Sequence, residues 1–270
     1  MSSAQVMDSA HFSPSPGDSA TSRLGALRAV LKTIVPAGCR RRAGRAVPLG
    51  IAALDGALGG GLSLGSLHEI AAAREAESAA ATFFALVLAA RRDAGAVVWI
   101  AEDFSLAENG APYGPGLDLL GLAPERLVTV AAAQPRDVLW ALEEALRTRG
   151  IAAAIGEIRS TRGIDLTATR RLSLAAGRRQ SLALLLRTTP ACDASAAATR
   201  WVIGAAASQK AGNGPGPPGL RLALIRNRRG PLGSWTVEWN RVERRLDLAP
   251  AHRERLAQAS VDRPYRAAGA

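Results

Sequence analysis

The side chains able to do chemistry in this chain are carboxylates and arginines, and the carboxylates are spaced as if for phosphoryl transfer. Glu102 and Asp103 follow the apolar run Val97–Ala101, and Glu157 follows Ile151–Ile155. Carboxylates at the ends of buried strands hold magnesium and position the nucleophile in that reaction. The reaction also needs a phosphate cradle, G-x-x-x-x-G-K-[ST]. Its glycines let successive backbone N–H groups turn inward, and its lysine meets the phosphates. The cradle belongs between a first strand at Ser66–Ala71 and the next helix, where the chain reads AAAREAESAAAT, Ala71–Thr82, with no glycine and no lysine. Without phosphates to share its coordination, magnesium has little reason to stay at Glu157. The expected role of Glu157 is a polar strand end paired with a nearby arginine. On this reading the chain has no catalytic residue, no cofactor and no metal. The rival is a degenerate ATPase whose nucleotide site is rebuilt from Glu102, Asp103 and Glu157.

Other chemistries find less. Gly59, Gly60, Gly61 and Gly65 precede a strand, whereas a dinucleotide fingerprint follows one. No G-x-S-x-G or H-E-x-x-H occurs. Cys39 and Cys192 are far apart in sequence, and His11, His68 and His252 are isolated, which argues against a disulfide framework or a zinc site.

The arginines carry the stronger signal. Net charge is +11, and Lys32 and Lys210 are the only lysines among 34 basic residues. A GC-rich genome accounts for part of that excess, and the remainder favours an anionic partner, nucleic acid or nucleoprotein. Arg159, Arg162, Arg170, Arg171, Arg178 and Arg179 follow the Glu157 strand end. Arg226, Arg228 and Arg229 sit at a hairpin loop, and Arg241, Arg244 and Arg245 come after it. Ligands of doubly wound sheets gather beyond the carboxyl ends of strands, where Arg159 and Arg162 are expected. A solvated arginine surface and a DNA- or partner-binding face both fit this pattern. The basic linker Arg40, Arg41, Arg42 and Arg45 carries the same two readings.

The elements that must position these groups alternate as β-α-β-α. Apolar runs at Ser66–Ala71, Val97–Ala101, Leu127–Ala131, Ile151–Ile155 and Leu182–Leu186 read as strands covered on both faces. Helices are expected at Ala79–Arg92, capped by Ser78 with Gly95 past its end, at Asp137–Arg149, and at Asp165–Ala176. In the second, Val138, Ala141, Leu142, Ala145 and Leu146 form one stripe, and Glu143 stands four residues before Arg147. The fold class is therefore α/β, a mostly parallel sheet flanked by helices. Leu220–Asn227 and Ser234–Asn240 then alternate as an antiparallel hairpin, with Trp235, Val237 and Trp239 on one face. Both tryptophans either pack on the core or anchor a partner. Residues 1–21 read as a disordered leader, 22–46 as a helix (Ser22–Val35) with a basic linker, 47–240 as the core, and 241–270 as a charged tail. No run has the roughly 20 apolar residues of a membrane span, and the chain reads as cytoplasmic.

Beyond composition and spacing, several runs resemble a known family. V-P-L-G-I-A-A-L-D-G-A-L-G-G-G-L-x-x-G-x-L-H-E-I, from Val47 to Ile70, is similar to the start of the core in bacterial ImuA proteins, which are divergent RecA-like proteins. Trp99–Asp103, Tyr113–Leu127, Val138–Leu146, Asp165–Ala176, Ala196–Trp201 and Gly233–Trp239 fit it in order, covering about Val47–Asn240. The resemblance implies a RecA-like fold and an accessory role in SOS-induced, error-prone translesion synthesis. The implied partners are an ImuB-like protein and a DnaE2-type polymerase, with RecA and DNA as further contacts. It also carries a weaker association with SulA-like cell-division inhibitors. The arginine clusters and the hairpin tryptophans together give the expected DNA- or partner-binding residues: Arg159, Arg162, Arg170, Arg171, Arg226, Arg228, Arg229, Trp235, Trp239, Arg244 and Arg245.

Overall fold

A computed structural model of the chain describes residues 10–12, 25–27, 29–30, 46–159, 164–190, 193–207 and 216–249. The N-terminal part holds β1 (Ala10–Phe12), helical residues at 25–27 and 29–30 (α1), β2 (Ala46–Val47), α2 (Ala52–Ala57) and β3 (Leu62–Ser63). The alternating core follows with β4 (Leu67–Ala72), α3 (Ser78–Ala90), β5 (Ala96–Glu102), α4 (Asp103–Asn109), α5 (Gly114–Leu120), β6 (Leu127–Ala132), α6 (Pro135–Arg147), β7 (Ile151–Ile158), α7 (Leu166–Arg179) and β8 (Leu182–Arg187). The sheet is completed by β9 (Thr199–Ala206), β10 (Gly219–Asn227), β11 (Gly233–Asn240) and β12 (Arg245–Leu248).

One 10-stranded sheet runs β1-β6-β5-β7-β8-β4-β9-β10-β11-β12. It is parallel from β1 to β9 and antiparallel from β9 to β12. The parallel strands are apolar because helices cover both faces. Facing α3 and α5 are Ile70, Trp99, Ile155, Leu184, Trp201 and Trp239. The opposite face packs Val98, Ala154 and Leu185 against the α6 and α7 residues Val138, Leu142, Leu172 and Ala176. Leu27 of α1 is buried in that second layer. Gly156 keeps the fit close, since a Cβ there would stand 2.8 Å from a Leu142 methyl.

The five expected strands and three expected helices form, with ends moved by a few residues. The stripe on α6 is wholly buried, and Glu143 pairs with Arg147. Asp165 caps α7 by accepting from the Ala168 N–H at 2.7 Å. Ser78 caps nothing and is instead the first residue of α3. On α7, Leu172 is buried while Leu166 and Leu174 are exposed. The hairpin forms as β10 and β11, with Leu222 opposite Trp235. Arg245–Leu248, read in the sequence as charged tail, is β12, because Leu246 inserts into the core beside Trp239. Ala10–Phe12, within the expected leader, is the edge strand β1. β9, α4 and α5 were not expected either; α4 and α5 span about two turns, too few to show a period.

The glycine run before β4 has a conformational reason. Gly59, Gly60 and Gly61 have φ of +70°, +105° and +127°. A Cβ on Gly61 would lie 2.3 Å from the Val47 carbonyl oxygen. The run fits a tight turn against β2.

Candidate functional site

Strand order reverses between β5 and β7, so the carboxyl ends of these strands open a crevice where sheets of this kind take ligands. Glu102 ends β5 and Glu157 lies near the end of β7, paired in register with Ala101. The sequence-predicted carboxylates do converge. Their partners belong to the protein. Glu102 accepts the Arg159 backbone N–H at 2.8 Å. Glu157 accepts from the Ser105 hydroxyl at 2.6 Å. Burial raises the Glu157 pKa, while bonds from Ser105 and the Trp99 side chain and the charge of Arg159 pull it back down. The expected arginine pairing of Glu157 is therefore replaced by hydroxyl and indole donors. Asp103 begins α4 and is exposed.

The position of the missing cradle is closed by the chain's own charges. Between β4 and α3 lie Ala73–Glu77, and none of these residues has a positive φ. Their backbone therefore forms no inward-facing nest for an anion. The Ala73 N–H bonds to Ile203 O at 2.7 Å, and the Glu77 N–H to Arg74 O at 2.9 Å. Glu77, only 7% exposed, accepts from Arg74, from Arg221 at 3.3 Å and from the Ala205 N–H at 3.2 Å. The Arg74 contact at 3.1 Å is the main cause holding the Glu77 carboxyl below its usual range. Its negative charge sits just before α3, where a phosphate would otherwise exploit the helix dipole.

Arg159 completes the closure. Its guanidinium pairs with Glu75 at 2.6 Å and with Glu108, and lies 5.7 Å from the Phe104 ring centroid. One arginine thus joins the β7 end, the β4–α3 turn and α4. Glu75, Glu77, Glu102, Glu108 and Glu157 thus gather at this end of the sheet, with Arg74, Arg159 and Arg221 paired among them.

A second polar group is buried beneath residues 193–200. Arg200 Nε donates to Glu69 at 2.7 Å, and the Ser195 hydroxyl donates to the same carboxylate. Beside it, His68 is fully buried. Its Nε2 meets Ser63 O at 2.9 Å and its Nδ1 meets Thr199 Oγ1 at 2.8 Å. A carbonyl only accepts, so Nε2 carries the proton and the Thr199 hydroxyl donates to Nδ1. The Trp201 indole N–H donates to Thr199 Oγ1 at 2.9 Å. Burial lowers the His68 pKa to about 4.

The remaining predicted residues divide. Arg171 pairs with Glu143 at 2.5 Å, and Arg245 with Glu243 and Asp247. Arg228 donates to Ser195 O at 3.4 Å. Arg170, Arg226, Arg229 and Arg244 make no ion pair among the described residues. Trp239 is buried edge-to-face on Phe83, and Trp235 is half-buried with its ring centroid 6.3 Å from that of Trp201. Both pack on the core. Arg162 lies outside the described residues, as do Arg40, Arg41, Arg42 and Arg45. Sequence reasoning missed Glu75, Glu77 and Glu108 as the groups that close the crevice. The acidic R-E-A-E run was visible, but its partner Arg221 lies 144 residues from Glu77.

Protein ImuA from two strains of Caulobacter vibrioides is 36% identical to this chain over 203 residues, covering 68% of the chain and 80% of that protein. The chain belongs to the ImuA family. No family model matches it. Among solved structures, the RadB recombinase superposes with a TM-score of 0.50 at 13% identity, over 76% of this chain and all of the recombinase. The likeness extends to the fold: this ImuA-family chain is RecA-like, with a mostly parallel sheet and antiparallel strands at its C-terminal side. No helix among the described residues is long and apolar enough to cross a membrane.

Proposed function

We propose that this chain is a non-catalytic, RecA-like accessory protein of SOS-induced, error-prone translesion DNA synthesis. On this reading it acts in the cytoplasm with an ImuB-like protein and a DnaE2-type polymerase, and meets RecA or DNA through the arginines that make no ion pair among the described residues. The observation that supports the non-catalytic part is the β4–α3 turn, where Glu75 and Glu77 stand in place of a phosphate loop's glycines and lysine and are held by Arg159, Arg74 and Arg221. The pathway and its partners rest on membership of the ImuA family. A fold that keeps its sheet while filling its nucleotide crevice with internal ion pairs suits a role in contact rather than turnover.

Calorimetric titration of ATP and magnesium into the purified chain, beside an intact RecA-type control, tests the reading. No saturable heat is expected. Saturable binding in the micromolar range would instead favour the degenerate ATPase, whose supporting observation is the convergence of Glu102 and Glu157 at the switch point.

A further inference from the structure

Beside the closed crevice is an apolar groove of about 520 Å³, between α3, α5 and the end of β11. Phe83, Trp99 and Trp239 are among its walls, and Tyr113 and Leu119 stand over its mouth. Trp99 and Trp239 are buried as core, but Tyr113 is 74% and Leu119 61% exposed. Val242, next to the lining residue Arg241, is 93% exposed. A soluble surface seldom leaves aromatic and aliphatic side chains open around a concave apolar floor unless something covers them.

The charges around the groove indicate what that is. Its charged lining residues are Glu157 and Arg241. Glu157 is occupied by the Ser105 hydroxyl. Arg241 is exposed and has no ion-pair partner among the described residues. Arg244, which likewise has no ion-pair partner among the described residues, runs across the end of α5, its Cδ 3.4 Å from where a Cβ on Gly121 would be. The mouth therefore presents sockets for apolar anchors with exposed cations on one rim. The chain's own residues 250–270 suit it poorly, since Arg253, Arg255, Arg263 and Arg266 outnumber Glu254 and Asp262.

We propose that this groove docks a segment of a partner protein in which aliphatic or aromatic anchors are flanked by acidic residues. The anchors fill the space over Trp99, Phe83 and Trp239, and the acidic flank meets Arg241 and Arg244. Arginine and large aromatics are the residues that dominate binding energy at such contacts, and rim charges set orientation and salt sensitivity. The inference rests on the accessory reading above, but is tested apart from it.

The probe is a random peptide library displayed on phage, selected on the wild-type chain and counter-selected on Leu119→Glu, an exposed position whose fold is checked by circular dichroism and melting. Enrichment of apolar anchors flanked by Asp and Glu is expected. A synthetic peptide of that kind should bind about tenfold tighter than its twin with Lys at each acidic position. Arg241→Glu should cost the acidic peptide about tenfold and reverse the preference. Quenching or a spectral shift of tryptophan fluorescence should accompany binding, because Trp99 and Trp239 form the floor. Selected peptides without acidic bias, or peptides bound equally by Leu119→Glu, would overturn the proposal. So would a wild-type dimer that Leu119→Glu dissociates, since the occupant would then be a second copy. Loss of the groove result with ATP still unbound leaves the accessory reading in place. Saturable ATP binding with groove binding intact has the opposite meaning.

Discussion

Two parts of the molecule are built from the same residue types to different ends. At the β4–α3 turn and the end of β7, the principal cations are consumed: Arg159 by Glu75 and Glu108, Arg74 and Arg221 by Glu77. At the β11–β12 turn, and at the β10–β11 loop on the opposite edge of the sheet, Arg229, Arg241 and Arg244 are exposed and unpaired among the described residues. The first region spends its charge on holding distant segments of one chain together. The second leaves its charge available to another molecule. Arginine content alone does not distinguish a binding surface from a structural clasp; the partner of each guanidinium does.

Substitutions at the two regions should separate these roles. The largest effect is expected outside both, in the buried Arg200–Glu69 pair, where Arg200→Met leaves Glu69 without its paired guanidinium. Removing one partner of such a pair costs about 3–5 kcal/mol, read as a lowered midpoint in urea. An unchanged midpoint would mean that the pair is dispensable. Next comes pH. His68 is held neutral, with its pKa lowered from 6.5 to about 4, so its contribution is complete above 6.5 and is lost as pH falls toward 4. The loss approaches about 3 kcal/mol, at 1.36 kcal/mol per pKa unit. Unfolding measured across that range should show the slope, and His68→Gln should flatten it.

Smaller is Arg159→Ala. Both its carboxylate partners are substantially exposed, so each pair contributes at most about 1 kcal/mol. Melting should fall by a few degrees, and hydrogen exchange should quicken near Arg74–Glu77. Smallest in stability are Arg229→Glu and Arg244→Glu, expected within about 0.5 kcal/mol of the parent. If these arginines contact DNA phosphates, each substitution lowers the slope of log K against log salt by about one. A stability loss as large as that of Arg159→Ala would erase the distinction between the two regions.

How much was legible depended on the range of the cause. The parallel strands declare themselves because burial on both faces demands uninterrupted apolar residues, and α6 because its stripe repeats at helical spacing. β12 was hidden because Arg245–Leu248 has a single buried apolar residue, Leu246, among charges, and pairing with β11 supplies the rest. Ser78 looked like a cap from its neighbours, yet the turn tightened so that Glu77 precedes the helix and bonds across the sheet to Ala205 and Arg221. Trp235 and Trp239 could have been anchors or core by alternation alone. The packing of Phe83 and Trp201 against them decided for core.

By itself, the sequence determined the α/β class, the order of the central elements and the absence of a glycine–lysine cradle, since each follows from local pattern and composition. Only the tertiary structure decided what fills the vacated position and which arginines, among the described residues, are left without an ion pair. Those outcomes are set by pairings between segments far apart in the chain, Arg159 with Glu75 and Arg221 with Glu77, and no local spacing encodes them. The groove over Trp99 and Trp239 is likewise a product of α3, α5 and β11 meeting, with residues contributed from Ser78 to Arg241.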